Sequence, residues 1–180
     1  GGETFLGKPG AWQRVATMKS FNLPGGDKAG RQAWRSAAAL CWQAGLDYDE
    51  IPEKDPGLHS MLKRAWQKKI NAPQSSSVGR IFDAAAALTG VRTTASFEGQ
   101  GPMEFEALCE KAGESVDDYI ELGLEGDGNL LIIDWKPLIR SMSDSTLSVK
   151  ARAVLFHNSL AHSILQQANI IREKHAVNTV

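Results

Sequence analysis

Residues 71–90 read NAPQSSSVGRIFDAAAALTG, and the reading of this stretch decides the fold. A run of serines opens a helix, with Ser76 taken as its N-cap, because a serine hydroxyl accepts one of the unpaired amides of a first helical turn. At 3.6 residues per turn, Val78, Ile81, Phe82, Ala85 and Leu88 form an apolar side. Gly79, Arg80, Asp83 and Ala87 fall on another. A glycine in a helix costs roughly 1 kcal/mol against alanine. Something must come close to the backbone there to repay it. The amides of a helix start favour an anion, Arg80 adds a fork of donors, and Asp83 can accept hydrogen bonds from vicinal hydroxyls such as those of a ribose. That set suits a nucleotide. A plainer account uses the same residues: Gly79 for helix packing, with Arg80 and Asp83 as a solvated pair.

Working outward, the flanking segments read as a mainly helical α+β chain. Residues 1–24 are irregular or strand-like, with RVATMKSFNL alternating as a strand. LPGGD is a turn, and Asp27 is placed to cap a helix over KAGRQAWRSAAALCWQAG that Gly45 ends. Residues 46–57 hold two prolines and five acids and form a loop. Leu58, Met61, Leu62, Ala65, Trp66 and Ile70 then recur at helical spacing. VRTTASFEGQG is extended, and Pro102 starts another helix over MEFEALCEKAG. DDYIELGLEGDGNLLIIDW reads as a hairpin turning at EGDG, and Asp134 caps a short helix near KPLIRSM. A long helix spans 147–174, with Val149, Ala153, Phe156, Leu160, Ile164 and Ile171 on one stripe. This helix is expected to pack on the 58–70 and 77–89 helices, with the hairpin at a margin.

The composition narrows the function classes. With 20 Lys plus Arg against 21 Asp plus Glu in 180 residues, the chain lacks the basic balance of a nucleic-acid binder. No apolar run is long enough to span a membrane, and no secretory leader is visible, so a cytoplasmic location is expected. Cys41 and Cys109 sit in helical, partly apolar contexts and read as buried reduced thiols. His59, His157, His162 and His175 lack metal-ligand spacing; His157 and His162 point about 140° apart on a helix. Both ends look cut, so the chain reads as one piece of a longer protein. A second turn-to-helix signal, Glu98-Gly99-Gln100-Gly101, leads into a helix carrying Glu104 and Glu106. Alone it is also what any loop-to-helix junction can look like.

Taken in order, FNLPGGDKAGRQAWRSAAAL, SSSVGRIFDAAAALTG, SFEGQGPMEFEAL and FHNSLA, with GGETFLG at the start, resemble the HypF carbamoyltransferase family of [NiFe]-hydrogenase maturation factors. Residues 113–150 carry little of the resemblance. It implies a partial TsaD-like domain over 1–180, of the actin-like ATPase (ASKHA) fold, truncated at both ends. In the parent protein it implies that ATP and carbamoyl phosphate yield carbamoyl-adenylate, whose carbamoyl group passes to the C-terminal cysteine of a HypE-like partner. Asp83 would then hold ribose hydroxyls, and Gly79 and Gly99 would give room for the nucleoside. Arg80, Glu98, Gln100 and Glu104 complete the implied nucleotide-binding set, and no catalytic residue is assigned. The family's divalent-metal ligands match nothing here, so the metal of the parent would be held outside this chain, and the piece alone would be inactive. Two other readings stand beside this one: a fragment of a TsaD-type tRNA threonylcarbamoyl transferase, and a non-enzymatic helical interaction module.

Overall fold

A computed structural model describes residues 1–50, 56–110, 118–126 and 129–178. Two strands, β1 (Glu3–Lys8) and β2 (Ala11–Met18), form an antiparallel hairpin at the start. The alternation expected as one strand over 14–23 breaks after Met18. Phe21–Asn22 (β3) leaves the sheet and pairs with Gln74–Ser75 (β4). β5 (Leu124–Glu125) and β6 (Leu131–Ile133) are antiparallel, as the hairpin reading requires; the 127–128 part of its turn lies outside the described residues. The hairpin is not marginal, however. β6 runs parallel to β2, giving one four-stranded sheet in the order β1-β2-β6-β5. Ile133, fully buried in β6, and Val15 and Ala16 in β2 explain why: two half-buried strands bury their apolar faces together.

The helices wrap one apolar core. α1 (Ala33–Ala44) is buried at every position but Gln43 and ends at Gly45, whose φ of 77° lets its amide return to the carbonyls of Cys41 and Trp42. It begins later than the sequence suggests. Gly26–Gly30 is a 3-10 turn with exposed Asp27 inside it, and Gln32 occupies the N-cap of α1, so Asp27 caps nothing there. Gly25 and Gly26, at φ of 115° and 52°, hold the chain away from helical geometry. The Thr93 carbonyl then accepts the Trp34 amide at 3.1 Å, which fixes where the helix starts.

α3 (Val78–Leu88) forms the most extensive helix pair with α1. Ala84, Ala85, Ala86 and Ala87 on α3 and Ala37, Ala38 and Ala39 on α1 are fully buried, and small residues let two backbones approach closely. Ser77, not Ser76, caps α3, accepting the Arg80 amide at 3.3 Å. Ser76 is engaged elsewhere: its hydroxyl donates to the Glu3 carboxylate at the start of β1.

α2 (Pro56–Gln67) starts two residues before the expected position, with proline in its first turn. α4 (Gln100–Glu110) likewise starts before Pro102, which sits in a first turn where its missing N–H costs nothing. α5 (Lys136–Met142) has Trp135 at its N-cap; Asp134, one residue upstream, accepts the Lys136 amide at 3.1 Å. α6 (Val149–His175) is capped by Ser148. Its stripe is buried at Ala153, Phe156, Leu160 and Ile171, but Ile164 is 64% exposed. α6 packs on α4 and α5 and meets α3 through Phe82, whose ring lies 4.9 Å from that of Phe156. It does not pack on α2 as expected. α2 lies on the α1 side, where Trp66 meets Trp42 at 5.5 Å and donates to the Asn22 carbonyl at 3.1 Å. No helix among the described residues is long and apolar enough to cross a membrane.

Candidate nucleoside-binding site

The start of α3, the 3-10 turn and the loop before α4 converge on Arg80. Its Nη1 lies 3.0 Å from Asp83 Oδ2 and donates to the Ala29 carbonyl at 3.4 Å; its Nη2 lies 3.5 Å from Glu98 Oε1. This is not a solvated pair. The Arg80 and Asp83 side chains are only 14% and 6% exposed, whereas Glu98 is 88% exposed. Asp83 Oδ2 is fully buried and, despite the nearby guanidinium, has no partner in hydrogen-bonding geometry among the described residues. A buried carboxylate oxygen with unused lone pairs costs free energy, and native structures rarely leave one without a purpose. Burial pushes the Asp83 carboxyl up to about 6; Arg80 opposes that shift and Glu98 reinforces it.

Gly79 and Gly99 differ in kind. Among the described residues a methyl group on Gly79 would meet only Ser77 Oγ, at 3.6 Å, so none of them requires a glycine there. Gly99 has a φ of 83° with nothing within 4 Å of an added Cβ; its glycine serves the left-handed turn before α4. Gln100 and Glu104 are not brought to Asp83. Gln100 accepts the Ser96 amide at 2.8 Å and donates to Glu104 at 3.1 Å. Glu104 takes Arg92 through two hydrogen bonds of 2.9 and 2.6 Å, and Arg92 holds its carboxyl below the usual carboxylate range. These groups brace the 92–104 loop against α4. The Ala29 carbonyl was missed by sequence reasoning: the PGGDK turn was recognisable, but nothing local places its backbone on Arg80, 51 residues away.

Three of the four histidines have structural partners. His59 Nε2 lies 2.9 Å from the Tyr48 carbonyl, His157 Nδ1 lies 2.8 Å from that of Ala153, and His162 stacks on Tyr119 at 3.8 Å. No group of three His, Cys, Asp or Glu side chains among the described residues could hold a metal ion. Both cysteines are free. Burial pushes the thiol of Cys41 up to about 11 and raises that of half-buried Cys109.

The described residues form a helical layer on a small mixed sheet, with a buried carboxylate at a helix start. The family described as "Carbamoyltransferase, Kae1-like Domain, second subdomain" matches residues 1–180. Carbamoyltransferase HypF of Rhizobium leguminosarum bv. viciae is 37% identical over 169 residues, 89% of this chain and 20% of that protein. Carbamoyltransferase HypF2 of Cupriavidus necator is 44% identical over 117 residues, 63% of this chain and 14% of that protein. A crystal structure of full-length HypF in its phosphate- and nucleotide-bound form superposes with a TM-score of 0.84 at 26% identity, over 98% of this chain and 23% of that one. The chain belongs to the HypF carbamoyltransferase family, as the second subdomain of its Kae1-like domain. It spans about a fifth of the length of the Rhizobium relative.

Proposed function

We propose that this chain supplies one wall of the nucleotide site in a carbamoyltransferase that uses ATP and carbamoyl phosphate to make carbamoyl-adenylate. The carbamoyl group then passes to the C-terminal cysteine of a HypE-like protein in cytoplasmic [NiFe]-hydrogenase maturation. The observation that carries the reading is Asp83 Oδ2, a buried carboxylate oxygen one turn inside a helix start that is ion-paired with Arg80 at 3.0 Å but accepts no hydrogen bond from any described residue. Its role is to accept the ribose hydroxyls of the nucleotide. Arg80 keeps Asp83 ionised in a site whose burial favours the neutral acid, since an opposite charge favours the charged form. The open backbone at Gly79 lets the nucleoside approach α3. Glu98 Oε1, on the exposed loop, forms a second ion pair with Arg80 at 3.5 Å. Gln100 and Glu104 support that loop through Ser96 and Arg92. The divalent metal of the parent enzyme, bound outside the described residues, would supply charge neutralisation at the phosphates. The chain alone carries no complete active site in this reading.

The test is calorimetric titration of ADP into the full-length protein and into Asp83→Ala. A loss of affinity without a loss of thermal stability supports the assignment. Unchanged affinity removes Asp83 from the site.

A further inference from the structure

A cavity of about 1070 Å³ is lined by the Pro24–Lys28 turn and one face of α2 and shares no residue with the Arg80–Asp83 site above. Leu58, Met61, Leu62 and Ala65, spaced along one face of α2, form a floor about 10 Å long. The Pro24–Lys28 turn faces them. Lys28, Arg64 and Lys68 line the rim and make no ion pair with any described residue. Arg35, buried beneath Gly25 and stacked 4.4 Å from the Trp34 ring, closes one end of the groove. Among the described residues Asp27 is the only acid in the lining. Among the described residues of the lining, three exposed rim cations face one acid, in a chain of formal net charge -1. Met61 and Ile70 at the groove are 61% and 58% exposed, an unusual outlay of large apolar side chains on a surface.

We infer that this groove docks an acidic, leucine-rich polypeptide segment of a partner protein. The apolar floor takes aliphatic side chains, the flexible Met61 adapts to them, and the rim cations meet carboxylates. The lining argues against a second nucleotide: among the described residues it holds no aromatic side chain to stack a base, and Asn71 is its only neutral polar side chain. Charge complementarity therefore selects the occupant. The inference does not rest on the nucleotide reading, because the rim and floor residues are not those around Asp83.

The experiment is fluorescence anisotropy of the intact protein with a fluorescein-labelled twelve-residue peptide alternating leucine and glutamate. Its leucine–lysine and leucine–glutamine counterparts are run beside it. Saturable binding of the glutamate peptide is expected, weakened about tenfold by each added Lys28→Glu, Arg64→Glu or Lys68→Glu and falling with salt. Met61→Asp should weaken all binding, while Lys63→Glu, whose lysine is paired with Asp47 at 3.2 Å outside the groove, should change nothing. The rim side chains are surface groups, so melting curves should not move. Equal binding of the lysine peptide, no saturable binding, or insensitivity to the rim reversals overturns the proposal. Inorganic tripolyphosphate binding as tightly as the glutamate peptide would reduce the groove to a general anion site and overturn it too.

Discussion

Arg80 and Asp83 lie one helical turn apart on α3, with Nη1 3.0 Å from Oδ2, yet the contact does not satisfy the carboxylate oxygen. The arginine supplies the aspartate with a counter-charge, while no described residue donates a hydrogen bond to Oδ2. That separation of roles is what a hydroxyl-bearing ligand needs: a charged acceptor, already desolvated and still free to bond.

The mutational consequence separates function from packing. Charge-assisted hydrogen bonds to a carboxylate are worth roughly 1.5 to 3 kcal/mol each. Asp83→Ala in the full-length protein should weaken nucleotide binding about 10- to 100-fold, because water can take over part of the role. The melting temperature should hold or rise, since a buried, unsatisfied oxygen is removed. Phe82→Ala should do the opposite. Phe82 is half-buried between Phe156 and His157, with ring centroids at 4.9 and 5.3 Å, so about 2 to 3 kcal/mol of stability should go. Urea unfolding and calorimetric titration on the two variants measure both effects.

The raised Asp83 carboxyl gives stability a pH dependence of known sign. It titrates at about 6 in the folded protein, against 3.8 for an unperturbed aspartate. Between these values the folded protein binds the proton and the unfolded chain has released it, so stability falls as pH rises through that window and then levels. The loss is on the order of 3 kcal/mol. In Asp83→Asn the drop between pH 4 and pH 7 should shrink by about that amount, read from urea midpoints at several pH values. Ligand affinity runs the other way. Protonation below about 6 removes an acceptor, so ADP affinity should fall on acidification in the native protein and lose that dependence in Asp83→Asn.

Gly25 is fixed by two independent constraints. Its φ is 115°, and a Cβ there would lie 2.6 Å from Arg35 Cδ. Gly25→Ala should cost about 1 to 3 kcal/mol, from backbone strain and from displacing Arg35. A shift in urea midpoint with unchanged cooperativity checks it; no shift would mean that the turn relaxes without loss.

Periodicity located the helices because each buries one face, and it found the hairpin because its strands pair locally. It could not say which faces meet. The parallel pairing of β2 with β6 joins residues more than 100 positions apart, such as Ala16 and Leu131, and nothing near either strand encodes it. The same gap put α6 on α2, when the Trp42–Trp66 contact holds α2 to α1. The cap was misassigned by one residue because three serines stand in a row and the choice is made by distant Glu3, which takes the Ser76 hydroxyl. Burial of the Arg80–Asp83 face was signalled, though: alanine runs in both α1 and α3 announce two backbones in close contact, and Asp83 lies beside that seam.

The sharpest remaining test is at Gly79. A nucleotide-site glycine and a packing glycine look alike in sequence but respond differently to a single methyl group. Gly79 has ordinary helical backbone, and an added Cβ would stand 3.6 Å from Ser77 Oγ, in normal contact. Alanine also loses less conformational entropy on folding than glycine. Gly79→Ala should therefore stabilise this chain by about 0.5 to 1 kcal/mol. If the nucleoside lies over α3 at this position, the methyl group occupies its space, and ADP affinity should drop about tenfold or more in the same variant. Gly101→Ala is the control: it adds a methyl 3.2 Å from Ala86 Cβ, at the α3–α4 contact, so it should lower stability and leave affinity alone. Stability up with affinity down at Gly79 assigns the residue to the ligand. Stability up with affinity unchanged would show that no nucleoside reaches this turn of α3, and the site would have to be moved toward Glu98.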